Sequence, residues 1–333
     1  MVKVETISGI NSDRINWCCA QIKMNLSDFA DTINIAQKKL TSGFLTFRQL
    51  QKVANYFGYG VLFFLEEGVP QPEKVHSPAF RTLSNQEIPL DGKLSKLIRN
   101  LEKHRDFFIG LLEEEDGDIP SFEKPQFVGE TLEEKALEAR QWLQIDGINT
   151  KKDFKIYRRL FERKNIFVIL SMGYLGAWRI ETKELEGFEL KHEIMPIIFS
   201  KKTSDKRQVF TLFHELGHLL LHEDEARMDV SQNFSSKSHI QKEREANSFA
   251  GLCLLPRNLL TDIYDEIPKD AKNYDRAFEA FSKDLGISVD VILIRLMNEH
   301  KISQEDYVSY RKIRFNANQD IIPQSTPIRR YRY

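Results

Sequence analysis

His214, Glu215 and His218 fall within five residues of an otherwise apolar run, Val209-Phe-Thr-Leu-Phe-His-Glu-Leu-Gly-His-Leu-Leu-Leu221. On a helix, residues four apart share a face, with Cβ atoms about 5–6 Å apart. Two imidazoles so placed can bind one ion, and zinc accepts nitrogen ligands at about 2.0–2.1 Å. In the His-Glu-x-x-His pattern, the glutamate after the first histidine takes the proton from the attacking water. An ionised carboxylate beside imidazoles in a greasy helix is expensive to bury unless a cation or hydrogen bonds compensate it. The spacing therefore predicts a mononuclear zinc site, one Zn2+ per chain, with His214 and His218 as ligands and Glu215 as catalytic base.

Two histidines leave tetrahedral zinc one protein ligand short, with the fourth position kept for water. A histidine six residues past His218 would serve, but Asp224 stands there, and Leu221 replaces the glycine such a turn needs. His222 lies too far along the helix axis from His214 and reads as a cap or a supporting residue. The segment Glu243-Arg-Glu-Ala-Asn-Ser-Phe-Ala250 offers a better third ligand. At 100° per residue, Glu243 shares a face with Ala246, Asn247 and Ala250, small groups that allow close approach of helices. Glu243 is the expected ligand, Asn247 its neighbour in support of a ligating side chain, and Glu245 the alternative, placed nearly opposite toward Phe249 and Leu252.

These residues need a scaffold. With 333 residues and 41% apolar content, the chain can bury substantial cores in two or three domains. Short helices are expected at 15–23, 26–32, 35–41 and 47–57, the last opened by a Thr46/Gln49 capping box and closed by Gly58. Trp17 is the expected core aromatic of this bundle. A Pro-rich stretch at 69–78 reads as a connector, followed by an amphipathic helix at about 94–115 that should pack on one side. Further helices are expected at 132–143, 153–163, 208–222, 240–255, 274–285, 289–299 and 303–312, with strands at 166–170, near 177–180 and at 196–200. The division is 1–68, 69–130, 131–312 and a flexible tail, 313–333. The fold class expected is α+β: a helical bundle, a helical connector and a domain with a small sheet packed on helices.

Three cysteines without metal-finger spacing, Cys18, Cys19 and Cys253, suit a reducing, cytoplasmic setting, and Cys253 reads as core. A formal net charge of −1 gives no general attraction to nucleic acid or membranes, and no stretch reaches the roughly 18 apolar residues of a membrane span.

The run Arg207–His222, the segment Glu243–Ala250 and Leu254-Leu-Pro256 together resemble the ImmA/IrrE family of metallopeptidases. Met195-Pro-Ile-Ile-Phe-Ser200 resembles the strand before that family's active helix, and the likeness extends loosely over 131–312. The resemblance implies a gluzincin-like, zincin core that hydrolyses a peptide bond, Glu243 as third ligand, and transcriptional repressors as substrates. Residues 1–68 are similar to an XRE-type helix-turn-helix, with 35–41 as recognition helix. Basic groups near its groove are limited to Lys23, Lys38, Lys39, Arg48 and Lys52, with Lys38 and Lys39 as the DNA-contacting candidates. A protein-docking or homodimerising bundle is the other reading of this segment.

The expected function is a zinc endopeptidase cutting an intracellular protein, a transcriptional regulator, which lies along Ile197, Ile198, Phe199 and Ser200 as an added edge strand. The alternative is a DNA-binding or protein-binding regulator, of a mobile element or toxin–antitoxin system, that keeps the fold without turnover.

Overall fold

The computed structural model describes residues 6–22, 24–70, 92–114, 121–148, 151–171, 186–222 and 236–319. The expected connector beyond residue 70, the strand near 177–180, Lys23 and the tail from 320 onward lie outside them. The chain divides into two compact units, the first built from the N-terminal residues and the helix near residue 100, the second from the residues after 120.

In the first unit, β1 (Thr6–Ile7) pairs antiparallel with β2 (Leu45–Thr46). Between them run α1 (Ser12–Gln21), α2 (Leu26–Ile33) and α3 (Gln37–Leu40). Asn25 caps α2 by accepting from the Asp28 amide at 2.8 Å, and Asn34 ends it in the left-handed region, φ 51°. The expected recognition helix is therefore cut to the single turn α3, because the chain leaves the Asn34 turn extended at Ala36 before it can helix again. The Thr46/Gln49 capping box opens α4 (Phe47–Phe57), and Gly58 closes it. Phe29, Phe57 and Phe64 form the aromatic core. Trp17 is only partly buried, tilted against Tyr59 and Phe63 at the edge of that core, so it is not the core aromatic the sequence suggested. The buried Arg14 closes the bundle by donating to the carbonyls of Phe63, Glu67 and Gly68 and pairing with Glu66. The helix α5 (Gly92–Glu114) joins this unit and is not a free connector. Arg99 donates to the Phe57 carbonyl and lies 4.4 Å over the Tyr59 ring, while Leu97, Ile98 and Leu101 are buried.

The second unit is an α+β domain. Capping by Thr131 and Asp153 starts α6 (Leu132–Leu143) and α7 (Phe154–Glu162). A three-stranded sheet follows, β3 (Phe167–Ser171), β4 (Gly187–Leu190) and β5 (Ile197–Lys201), in the order β3-β5-β4. β3 runs parallel to β5 and β4 antiparallel to it. The helices α8 (Asp205–Leu221) and α9 (Ser236–Leu254) pack against each other and carry the residues of interest. Beyond them come α10 (Arg257–Thr261), α11 (Tyr274–Ala277), α12 (Glu279–Asp284), α13 (Val289–Asn298) and α14 (Gln304–Gln319). The single helix expected at 274–285 is broken at Phe278, a fully buried side chain between α11 and α12.

Two buried arginines pin the C-terminal end of α9. Arg140 donates to the Cys253 carbonyl and pairs with Asp146, and Arg295 donates to the Leu255 carbonyl at 3.1 Å. Both satisfy carbonyls that a helix end leaves without partners. Further along, α8 and α9 nearly touch: a Cβ on Gly217 would stand 3.1 Å from Ala246 Cα and 3.2 Å from Phe249 Cδ1. Enlarging Ala246 to leucine should therefore force the helices apart. Ala246→Leu is expected to cost about 1–3 kcal/mol of stability, measured by urea unfolding of metal-free protein; an unchanged midpoint would mean this contact does not set the helix spacing.

Candidate metal centre

α8 buries Val209, Leu212, Phe213, Leu216, Leu219 and Leu220 in the core and leaves His214 and His218 half-buried on the face toward α9. Their Nε2 atoms stand 3.2 Å apart. Glu243, from α9, brings Oε2 to 3.4 Å from His214 Nε2 and Oε1 to 3.3 Å from His218 Nε2. These three residues form the one group among the described residues able to hold a metal ion, with donor atoms within 4.8 Å of one another. Charge-assisted hydrogen bonds are usually about 2.7–2.9 Å, so these contacts are long for direct pairing. Two ligand atoms each about 2.05 Å from a tetrahedral zinc stand about 3.3 Å apart. The two imidazole nitrogens match that edge length, Glu243 meets them through two different oxygens, and the set of two imidazoles and one carboxylate fits the ion.

The surrounding groups are held in turn. Asn247 Oδ1 lies 3.1 Å from His214 Nδ1, where a ligating histidine needs an acceptor. His218 Nδ1 faces His222 Nδ1 at 2.9 Å, and His222 Nε2 faces Glu245 Oε2 at 3.4 Å. Glu245 therefore does not point away toward Phe249 and Leu252; its long side chain reaches the end of α8 instead.

Glu215 is 6% exposed and lies on the face of α8 beneath β4. Burial pushes its carboxyl well above the usual range, and the Glu189 and Glu243 carboxylates and a hydrogen bond with Glu189 push it the same way. Burial works against ionising Glu243, but hydrogen bonds from His214 and His218 hold its carboxyl far below the usual range. For His218, burial opposes protonation while the hydrogen bond to Glu243 and the Glu189 carboxylate raise the pKa. His222 is pushed down to about 3 by burial, with the charges of His218, Lys242 and Lys191 adding to the effect.

Glu189 is the residue that sequence reading missed. It sits on β4, two positions from Gly187, and both face α8. The alternation of buried Phe188 and Leu190 with Gly187 and Glu189 is the signal that could have revealed the strand.

Ile197, Ile198, Phe199 and Ser200 cannot serve as a substrate edge. β5 is the central strand, hydrogen-bonded on both sides, and all four residues are fully buried. Among the described residues, β4 and β3 are the outer strands of this sheet. In the first unit, Lys38 and Lys39 are exposed on α3, but Lys52 donates to the Ile33 carbonyl at 2.7 Å and is spent on the end of α2.

A helix pair carrying a His-His-Glu cluster beside a small mixed sheet defines this unit as a peptidase-like α+β domain able to hold a metal ion. Residues 175–297 match the family model described as the IrrE N-terminal-like domain, which supports the ImmA/IrrE resemblance over that segment. The match is narrower than the 131–312 span of the sequence likeness and contains all of the cluster. Among solved structures the chain is similar to a Mycobacterium tuberculosis transcriptional regulator at 16% identity and a TM-score of 0.34, over 59% of this chain and 51% of that one. The chain thus spans about half the length of that regulator. No curated protein matches the sequence. No helix among the described residues is long and apolar enough to cross a membrane.

β4 must pass close over Glu215. A Cβ on Gly187 would lie 2.5 Å from Thr211 Cγ2, 2.8 Å from the Phe199 carbonyl oxygen and 3.2 Å from Glu215 Oε1. Gly187→Ala is expected to cost roughly 1–3 kcal/mol, read as a lowered thermal midpoint. Adding Thr211→Ser, which removes the nearest methyl, should recover part of the loss and leave the part due to the Phe199 backbone.

Proposed function

We propose that this protein is a zinc-dependent endopeptidase that cleaves a specific protein partner, a transcriptional regulator, in the cytoplasm. The observation that carries the reading is the convergence of donor atoms from His214, His218 and Glu243 within 4.8 Å of one another, the two Nε2 atoms spaced by 3.2 Å, close to the edge of a zinc tetrahedron. The family match supports the peptidase class, and three free, buried cysteines support a reducing compartment.

In this reading His214, His218 and Glu243 hold the ion. When bound, zinc supplies Lewis acidity toward the scissile carbonyl and lowers the pKa of water. Glu215 accepts the proton of the attacking water and delivers it to the leaving amine. Its burial suits that role, because desolvation raises the carboxyl's affinity for the proton it must take from water. The substrate backbone pairs with the outer edge of β4, not with β5, which would lay an extended peptide beside Glu189 and Glu215. Lys38 and Lys39 remain the DNA-contacting candidates of the N-terminal bundle, with too few free cations to give strong binding alone.

The test is metal content and turnover measured together. Wild type purified without added metal is expected to carry about one zinc, and His214→Ala and Glu243→Ala to lose it. Glu215→Gln is expected to keep the zinc and lose about 10²- to 10⁴-fold in turnover, followed by mass spectrometry of a peptide-library digest. A Glu215→Gln protein that cleaves like wild type would sink the base assignment. A zinc-free wild type that cannot be reloaded would sink the peptidase.

A further inference from the structure

The three histidines of α8 are spaced at 214, 218 and 222, so their rings run down one face, with centroids 4.8 and 4.9 Å apart. Only the first two turn a nitrogen into the cluster. His222 presents Nδ1 to His218 Nδ1 and Nε2 to Glu245, and its ring is 8% exposed. Lys191 Nζ donates to the His222 carbonyl at 2.6 Å, which fixes the backbone where α8 ends.

We propose that Glu245 acts through His222 as a positioning pair that holds His218 in the ring orientation and tautomer able to bind the metal. The inference rests on the zinc reading above. Its logic is a chain of single protons. An ion on His218 Nε2 needs that nitrogen's lone pair, so the His218 proton sits on Nδ1 and requires an acceptor. The acceptor at 2.9 Å is His222 Nδ1, which leaves the His222 proton on Nε2, and that N–H points at the Glu245 carboxylate. In the reversed arrangement His222 donates from Nδ1, and the His218 proton moves to Nε2, into the cluster where the ion belongs. A carboxylate at His222 Nε2 disfavours the reversed arrangement, since it accepts a hydrogen bond and cannot donate one when ionised. His214 is governed separately, by Asn247. One stretch of α9 thereby serves three tasks within five residues: Glu243 as ligand, Glu245 through His222, and Asn247 on His214.

The experiment compares zinc affinity, by competition with a chelating dye, in wild type, His222→Ala, His222→Gln and Glu245→Ala, with nitrogen-15 imidazole spectra of the zinc-loaded proteins. His222→Ala is expected to bind zinc roughly 10–100-fold more weakly, with unchanged circular dichroism. His222→Gln, which restores an acceptor, should regain part of the affinity, and Glu245→Ala should weaken binding by a smaller factor. The wild-type spectrum should show His218 protonated on Nδ1 and His222 on Nε2. Should His222→Ala fail to fold, the Glu245→Ala affinity and the wild-type spectrum decide. Wild-type affinity in the folded variants, or a His222 proton on Nδ1, overturns this inference and leaves the zinc reading standing. A wild type that binds no zinc overturns both.

Discussion

The closeness of α8 and α9 is the constraint on which the site depends. Glu243 meets both histidines of the neighbouring helix because Gly217 and Ala246 leave almost nothing between the two backbones. The same stretch places Asn247 on His214 and Glu245 on His222. Arg140 and Arg295 hold the far end of α9 by its carbonyls, so the helix is fixed both where it approaches α8 and where it terminates. Close packing and end anchoring act together here: the first sets the distance between Glu243 and the two histidines, the second keeps α9 from sliding along α8.

The electrostatics show what such closeness costs. Three carboxylates, Glu189, Glu215 and Glu243, influence one another across a partly dry site, and Glu215 is nearly sealed from water. Burying like charges together is unfavourable unless protons or a cation intervene. Burial and the neighbouring carboxylates favour a proton on Glu215, and the hydrogen bond to Glu243 with the Glu189 carboxylate favours one on His218. A divalent cation would offset the same carboxylates with a single larger charge.

The helical framework was largely legible. The Thr46/Gln49 capping box, the turn at Asn25 and apolar spacing locate the helices in the sequence, because those signals are local. His214, Glu215 and His218 were legible from one helical run, and the pairing of Glu243 with them rested on a face of small residues. What failed was non-local. Ile197, Ile198 and Phe199 are a consecutive apolar run, the pattern of a strand covered on both faces, which does not tell a central strand from an edge; the pairing order shows β5 as central. β4 is four residues long, too short for its alternation to stand out, so Glu189 went unseen. Glu245 was misplaced because a helical wheel reduces each residue to an angle, whereas a glutamate side chain extends along the helix and can reach a neighbour a turn away. Trp17, expected as the core aromatic, lies at the rim, where an indole can keep one edge wet.

The position of β4 ties these errors into one structural point. An antiparallel strand at the margin of the sheet passes over Glu215 so tightly that residue 187 admits no side chain, and the next residue on that face is Glu189. The strand that forms one wall of the candidate site is, among the described residues, also an outer strand, the kind of edge on which an extended peptide can be added. A buried central strand such as β5 has its hydrogen bonds committed on both sides and can only support. The sheet therefore divides its labour by position: β5 and β3 join it to the core, while β4 faces the His-His-Glu cluster and sets Glu189 against Glu215.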